Sequence, residues 1–280
     1  MVSAPPVIVL SERRGLWAYL AEVWRRRDFA WHLAMAKVRA RNNSTALGLF
    51  WWLLDPLLLG GVFLLVFGVI LKTSRGDPNY IGFLLSGLFV FTYTRETMTG
   101  GAASINSNAQ LIGTKRFPRL LLPLSAVIEG GVAFAFSLIP FYLIAGLTHG
   151  DWPGAYTWVL VPALIMQTMF NLGLSLLMAE LVVPIRDIGN LVNYLSRLWL
   201  YVSPVIFPLD ERLRNAPAVL VTILKVNPMA PILGLYRGAL LGREIAPYHW
   251  WGTAVWAVFM LLVGVLTFRR IEPKLPRYLD

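Results

Sequence analysis

Residues 120–147 read LLLPLSAVIEGGVAFAFSLIPFYLIAGL, with Glu129 the only charged side chain in the stretch. A helix rises about 1.5 Å per residue, so this run is long enough to cross the roughly 30 Å hydrocarbon core of a bilayer. Lipid offers backbone N–H and C=O groups no water, and a helix satisfies them within the segment. Five more runs of similar character flank it. Residues 47–71 are broken only by Asp55 and Pro56, and residues 80–94 are apolar and continue through Arg95 and Glu96 to about 103. Residues 158–183, 188–207 (with Arg197 inside) and 250–268 complete the set. The pattern predicts an all-α integral membrane protein with six transmembrane helices.

Composition agrees. Hydrophobic residues make up 57% of the 280-residue chain and charged residues only 14%, where a soluble domain carries about a quarter charged. There are no cysteines, which excludes disulfides, thiolate metal sites and cysteine nucleophiles. His32, His149 and His249 are far apart in sequence and read as interfacial side chains, not metal ligands. The formal net charge is +10, but the basic residues crowd the ends of apolar runs, so they report topology and not nucleic-acid binding. Arg13, Arg14, Arg25, Arg26, Arg27, Lys37, Arg39 and Arg41 precede the first run. Lys115, Arg116 and Arg119 lie between the second and third, and Arg269, Arg270, Lys274 and Arg277 follow the last. The positive-inside rule places both termini in the cytoplasm of a multi-pass protein of the cytoplasmic membrane. Residues 1–10 lack a basic start and contain Pro5 and Pro6, so no cleavable signal peptide is expected.

Two segments are too polar or too short to span. Residues 15–40 mix Trp17, Trp24 and Trp31 with a dense basic cluster, the composition of an amphipathic interface helix. Residues 208–249 hold two short apolar stretches, 218–226 and 230–241, separated by Asn227 and Pro228. Stretches of this length read as short re-entrant helices, here external and placed before the last span. The organisation is therefore a cytoplasmic tail and interface helix over 1–45, a transmembrane domain over 46–268 and a cytoplasmic tail over 269–280.

Charges inside spans are costly unless paired or wetted, so they mark a pathway or a buried pair. Asp55, Arg95, Glu96, Glu129 and Arg197 fall at one depth, roughly 10–14 Å from the cytoplasmic boundary by helical rise. Mutual pairing that locks helices together and direct contact with substrate are both open; Arg95 is expected to pair with Glu129 or Asp55. Trp51, Trp52, Phe89, Tyr93, Trp199 and Tyr201 are candidates for an aromatic wall, and an interfacial belt or lipid-facing packing is the competing reading for each.

Three stretches resemble the membrane subunit of ABC-2 type polysaccharide exporters, the Wzm class: RARNNSTALGLFWWLLDPLL (39–58), NAQLIGTKRFPRLLLP (108–123), and the series VPIRD (183–187), YVSPVIFP (201–208), Asn227-Pro228 and YRGALL (236–241). Together they cover about residues 25–245 in order. The resemblance implies a homodimeric permease that works with two copies of a separate ABC ATPase, which binds ATP and Mg. It implies export of an undecaprenyl- or decaprenyl-linked polysaccharide among membrane lipids, with no nucleic-acid partner and no cofactor in this chain. It also implies that Asn108, Lys115, Arg116, Phe117, Pro118 and Arg119 belong to a cytoplasmic coupling segment, that Arg186 and Asp187 form a second ATPase contact, and that the short external helices are a periplasmic gate. The start of the first span reads RARNNSTALG instead of the commoner RYK-x-S-x-LG, a variant similar to actinobacterial galactan and teichoic-acid exporters; the glycan is expected to be cell-wall galactan or an O-antigen-like polymer, with galactan favoured. Independently, the chain contains no G-x-x-x-x-G-K-[ST] phosphate loop. Two other classes fit parts of the pattern: an ion-coupled secondary transporter using Asp55 and Glu129, and a membrane enzyme acting on lipid-linked sugars with Glu96, Asp210 or Glu211. The first lacks a visible inverted repeat, and the second lacks an acidic cluster.

Overall fold

A computed structural model of the protein describes residues 15–43, 50–70, 80–115, 117–149, 152, 154–185, 187–207 and 218–278, and all regular structure among them is helical. In chain order the helices are α1 (Leu16–Arg25), α2 (Arg27–Asn43), α3 (Phe50–Phe63, continued by a π-helical stretch Leu64–Ile70), α4 (Tyr80–Ser104), α5 (Ala109–Thr114), α6 (Leu121–His149), α7 (Leu160–Val182), α8 (Asp187–Val202), α9 (Ala218–Val226), α10 (Met229–Leu241) and α11 (Pro247–Ile271), with a final 3₁₀ segment Glu272–Tyr278. Among the described residues three helical stretches are long and apolar enough to cross a membrane: Leu121–Leu147, Thr157–Val182 and Pro247–Leu275. The third, fourth and sixth sequence runs thus appear as single helices, and the second continues through Arg95 and Glu96 as α4.

Helix α4 is the axis of the bundle. Every residue from Gly82 to Phe91 is buried, the expected state of a helix that is apolar all round. It is enclosed by α6, α7, α8, α10 and α3. The most extensive helix contact is between α7 and α11. There Gly173 and Gly264 bring the two backbones together, since a Cβ on Gly173 would lie 2.1 Å from the Met260 carbonyl oxygen. In lipid, where burial of apolar surface does not drive association, such small-residue crossings supply close van der Waals contact.

The fifth run is shorter than its sequence implied. Helix α8 ends at Val202, and residues 203–207 turn without helix. Pro204 has no N–H for another helical turn. The freed Val205 carbonyl accepts a hydrogen bond from Arg237 Nη2 at 2.9 Å, and the same guanidinium stacks 3.5 Å from the Phe83 ring centre. Irregular backbone of this kind is tolerated when protein groups satisfy it.

Both short stretches before the last helix are helical. Asn227 organises the break between α9 and α10: its Oδ1 accepts from the Met229 backbone N–H at 3.0 Å, and its Nδ2 donates to the Val202 carbonyl and Ser203 Oγ. Gly242 closes α10 in the left-handed conformation, φ 64°, where a side chain would be strained. Helix α10 is no superficial cap, because Ile232, Leu233, Leu235 and Tyr236 are fully buried.

The N-terminal segment divides at Arg26 into two helices with different roles. On α1, Trp17 and Trp24 are strongly exposed, as an interface helix requires. On α2, Ala30, Ala34 and Val38 recur every fourth residue and are buried, and the helix packs along α6. Phe29 meets Phe117 near the start of α6, and Lys37 lies in electrostatic range of Glu129 farther along it. The two pairings follow the same order along both segments, and the helices pack on each other, so α2 runs beside α6 and does not lie flat across its end.

Candidate functional site

Three helices each present one face to a polar cavity of about 440 Å³. Helix α4 contributes Arg95, Glu96, Thr99 and Gly100; α6 contributes Ala126, Glu129 and Gly130; α8 contributes Asn193, Ser196 and Arg197. Within each helix these residues are three or four apart or adjacent, so they share a face. Small residues make the room. A Cβ on Gly130 would sit 2.9 Å from Thr97 Oγ1, and one on Gly100 would sit 3.2 Å from the Ala126 Cβ. Thr99 turns its hydroxyl hydrogen back to the Arg95 carbonyl at 3.0 Å, which leaves its oxygen available as an acceptor.

Four of the five charges that share a depth in the sequence therefore line one cavity, while the Asp55 side chain lies outside the described residues. Two guanidinium groups face two carboxylates, so the wall is formally neutral yet dense in donors and acceptors. Among the described residues no ion pair joins Arg95 to Glu129, and Asp55, the other expected partner of Arg95, has its side chain outside them. Lys37, which the sequence reading did not select, is the cation that α2 brings toward Glu129. Asn193 and Ser196 were also missed. Their i−4 and i−1 spacing to Arg197 was the available signal.

The aromatic candidates do not form a common surface. Phe89 is buried edge-on to Phe141. Tyr93 is buried, stacks on Phe134, and its hydroxyl shares a 3.0 Å hydrogen bond with Thr168 Oγ1. These two hold α4 to α6 and α7 within the protomer, a correction to their reading as wall residues. Trp199 is half-buried against Phe91 and Phe170, and its Nε1 donates to Asn227 Oδ1 at 3.2 Å. Tyr201 faces outward, Trp51 is half-buried on α3, and the Trp52 side chain lies outside the described residues.

A second constellation sits at the end of the bundle that carries α1, the loop before α6 and the foot of α11. Asn108 Nδ2 donates to the Ser104 carbonyl at 2.7 Å where α4 ends. Lys115 is exposed, Pro118 is buried, and Phe117 packs on Phe29 with ring centres 5.0 Å apart. Arg116 and Arg186 lie outside the described residues, and Asp187 is exposed in the first turn of α8. The Arg119 backbone N–H donates to Glu272 Oε1 at 2.7 Å, and its guanidinium donates to the Glu272 carbonyl. The Tyr19 hydroxyl is buried beside this carboxylate, outside strict hydrogen-bond geometry. Desolvation and the carboxylate charge both raise that phenol's pKa. Arg269 lies 5.6 Å from the Tyr19 ring centre.

No protein-family model matches the chain. Individual proteins do. It is 31% identical over 223 residues to the O-antigen export system permease protein RfbA of Myxococcus xanthus, covering 77% of this chain and 81% of that one. The Klebsiella pneumoniae protein of the same name is 27% identical, with 84% and 88% covered. The capsule polysaccharide export inner-membrane protein CtrC of Neisseria meningitidis serogroup A is 23% identical, with 86% and 92% covered. Transmembrane-length helices, a polar cavity among them and relatives along most of the chain define one class, the membrane permeases of transport systems. The chain belongs to the ABC-2 type polysaccharide export permeases, and it is a multi-pass protein of the cytoplasmic membrane.

Proposed function

We propose that this permease works as a homodimer with two copies of a separate ATPase and moves a lipid-linked polysaccharide out across the cytoplasmic membrane. In this reading the chain itself hydrolyses nothing. It spans the membrane six times with both termini in the cytoplasm, and α9 and α10 close the outer mouth. The observation that carries the proposal is the cavity. A formally neutral wall of guanidinium, carboxylate, amide and hydroxyl groups suits a polyhydroxylated chain, which needs many weak hydrogen bonds and no single tight pocket. A cation carrier would instead use an excess of carboxylates. The cavity includes exposed residues of α8, Asn193 and Arg197, which suits a pathway completed by a second copy.

The substrate is proposed to be a glycan on a polyprenyl diphosphate. The RARNNSTALG variant supports galactan, and the relatives' names support O-antigen or capsular polymers in those organisms. The test is export by the reconstituted permease–ATPase complex in vesicles carrying the lipid-linked glycan. Arg197→Ala and Glu129→Gln should each slow export while leaving ATPase assembly intact. Export at the wild-type rate in the double variant would remove the cavity from the pathway.

A further inference from the structure

We infer that Glu272 is a positioning residue for coupling, a clamp that makes the loop before α6 move together with α11. The inference rests on the reading of that loop as the ATPase contact. Arg119 and Glu272 are 153 positions apart in sequence, yet each engages the other through both backbone and side chain. A doubly engaged pair fixes orientation as well as distance, which a single side-chain contact does not. Glu272 cannot swing away, because Phe268 and Leu275 on either side of it are fully buried. Neither can the loop, whose next residues Leu120, Leu121 and Leu122 are buried in the same cluster. Tyr19 adds the N-terminal helix to the junction. A push on Phe117–Arg119 therefore reaches the foot of α11 as a displacement and is not absorbed by loop flexing.

Helix α11 can carry that displacement to the far end of the bundle. It is seated on α7 at the Gly173–Gly264 crossing, and its first turns meet α10, where a Cβ on Gly234 would collide with the His249 ring and one on Gly252 with Pro231. The second short helix before the last span thus rests directly on the helix that Glu272 clamps. Spatial continuity alone does not show coupling, so the test must separate coupling from folding.

The experiment uses the full-length permease assembled with its ATPase in vesicles loaded with lipid-linked glycan, measuring glycan exported per ATP hydrolysed and KM for ATP. In Glu272→Ala the Arg119 N–H loses its side-chain acceptor while the backbone carbonyl that accepts from the guanidinium remains, and export per ATP should fall at least about tenfold, with KM for ATP unmoved. Glu272→Gln keeps the oxygen that accepts from the Arg119 N–H and should retain coupling within about threefold. Normal export per ATP in Glu272→Ala overturns the clamp. Loss of the assembled complex in both variants also overturns it, by making Glu272 a folding residue only. Lys115→Glu tests the underlying reading separately, since Lys115 is exposed in the same segment. Unchanged ATPase binding and export in Lys115→Glu overturns the coupling loop and the clamp with it. Weakened ATPase binding there, with normal export per ATP in Glu272→Ala, overturns the clamp alone.

Discussion

Replacing Gly264 by alanine places a methyl group inside the α7–α11 crossing. Its Cβ would lie 2.4 Å from the Gly173 carbonyl oxygen and 2.8 Å from the Gly173 Cα, whereas ordinary contact begins near 3.4 Å. The obstructing atoms are backbone, so no side chain can rotate away, and the two helices must separate by roughly 1 Å. Overpacking of this kind costs about 1–3 kcal/mol, and separation along the largest helix contact of the bundle puts the cost at the upper end. Alanine's better helix propensity returns about 1 kcal/mol, which leaves a net loss of about 2 kcal/mol. Gly61→Ala is the control, because nothing lies within 4 Å of its Cβ position, and it should be neutral or slightly stabilising. Adding Gly173→Ala to Gly264→Ala should cost less than the sum of the single changes, since the helices are already apart. The assay is reversible unfolding of the purified protein in mixed detergent micelles. Equal stability of Gly264→Ala and Gly61→Ala would refute the close crossing.

Asn227→Ala should strand the buried Met229 N–H and free Trp199 Nε1, costing about 2–4 kcal/mol, with faster hydrogen exchange at residues 203–207 and 227–230; unchanged exchange there would mean Asn227 does not hold the α8–α10 elbow. Arg95 and Glu129 line the same cavity, so the double alanine change should depart from the sum of the two single changes by at least about 0.5 kcal/mol in a double-mutant cycle; strictly additive losses would mean that the two side chains do not interact. Reporter fusions after Gly76 and after Asp280 should fall on opposite sides of the membrane, and the same side for both would reject six spans.

Much of the scaffold is legible in the chain because spanning lipid is a one-dimensional constraint. An apolar run of 120–147 has few alternatives to a membrane helix, and α4, α7 and α11 follow their runs within a few residues. Depth is one-dimensional too. Counting residues from a boundary sufficed to group Arg95, Glu96, Glu129 and Arg197 before their cavity was seen. What depth cannot supply is azimuth. Phe89 and Tyr93 were candidates for a wall because aromatic side chains suit sugars, and the bundle turned both inward, where they join α4 to α6 and α7. A run without periodicity carries no signal of which side faces a neighbour.

The Arg119–Glu272 clamp and the Lys37–Glu129 approach were beyond the sequence for a different reason. Each joins residues far apart in the chain through groups whose surface chemistry looks ordinary. Glu272 becomes distinctive only when Phe268 and Leu275 bury on either side of it and Arg119 is brought to meet it. The chain alone shows that it lives in lipid and where its long apolar helices run, because the bilayer acts on each segment separately. Which charges meet, which aromatics face inward and which loop is tied to the last helix depend on the rotation and crossing of helices against one another, and only the packed bundle determines those.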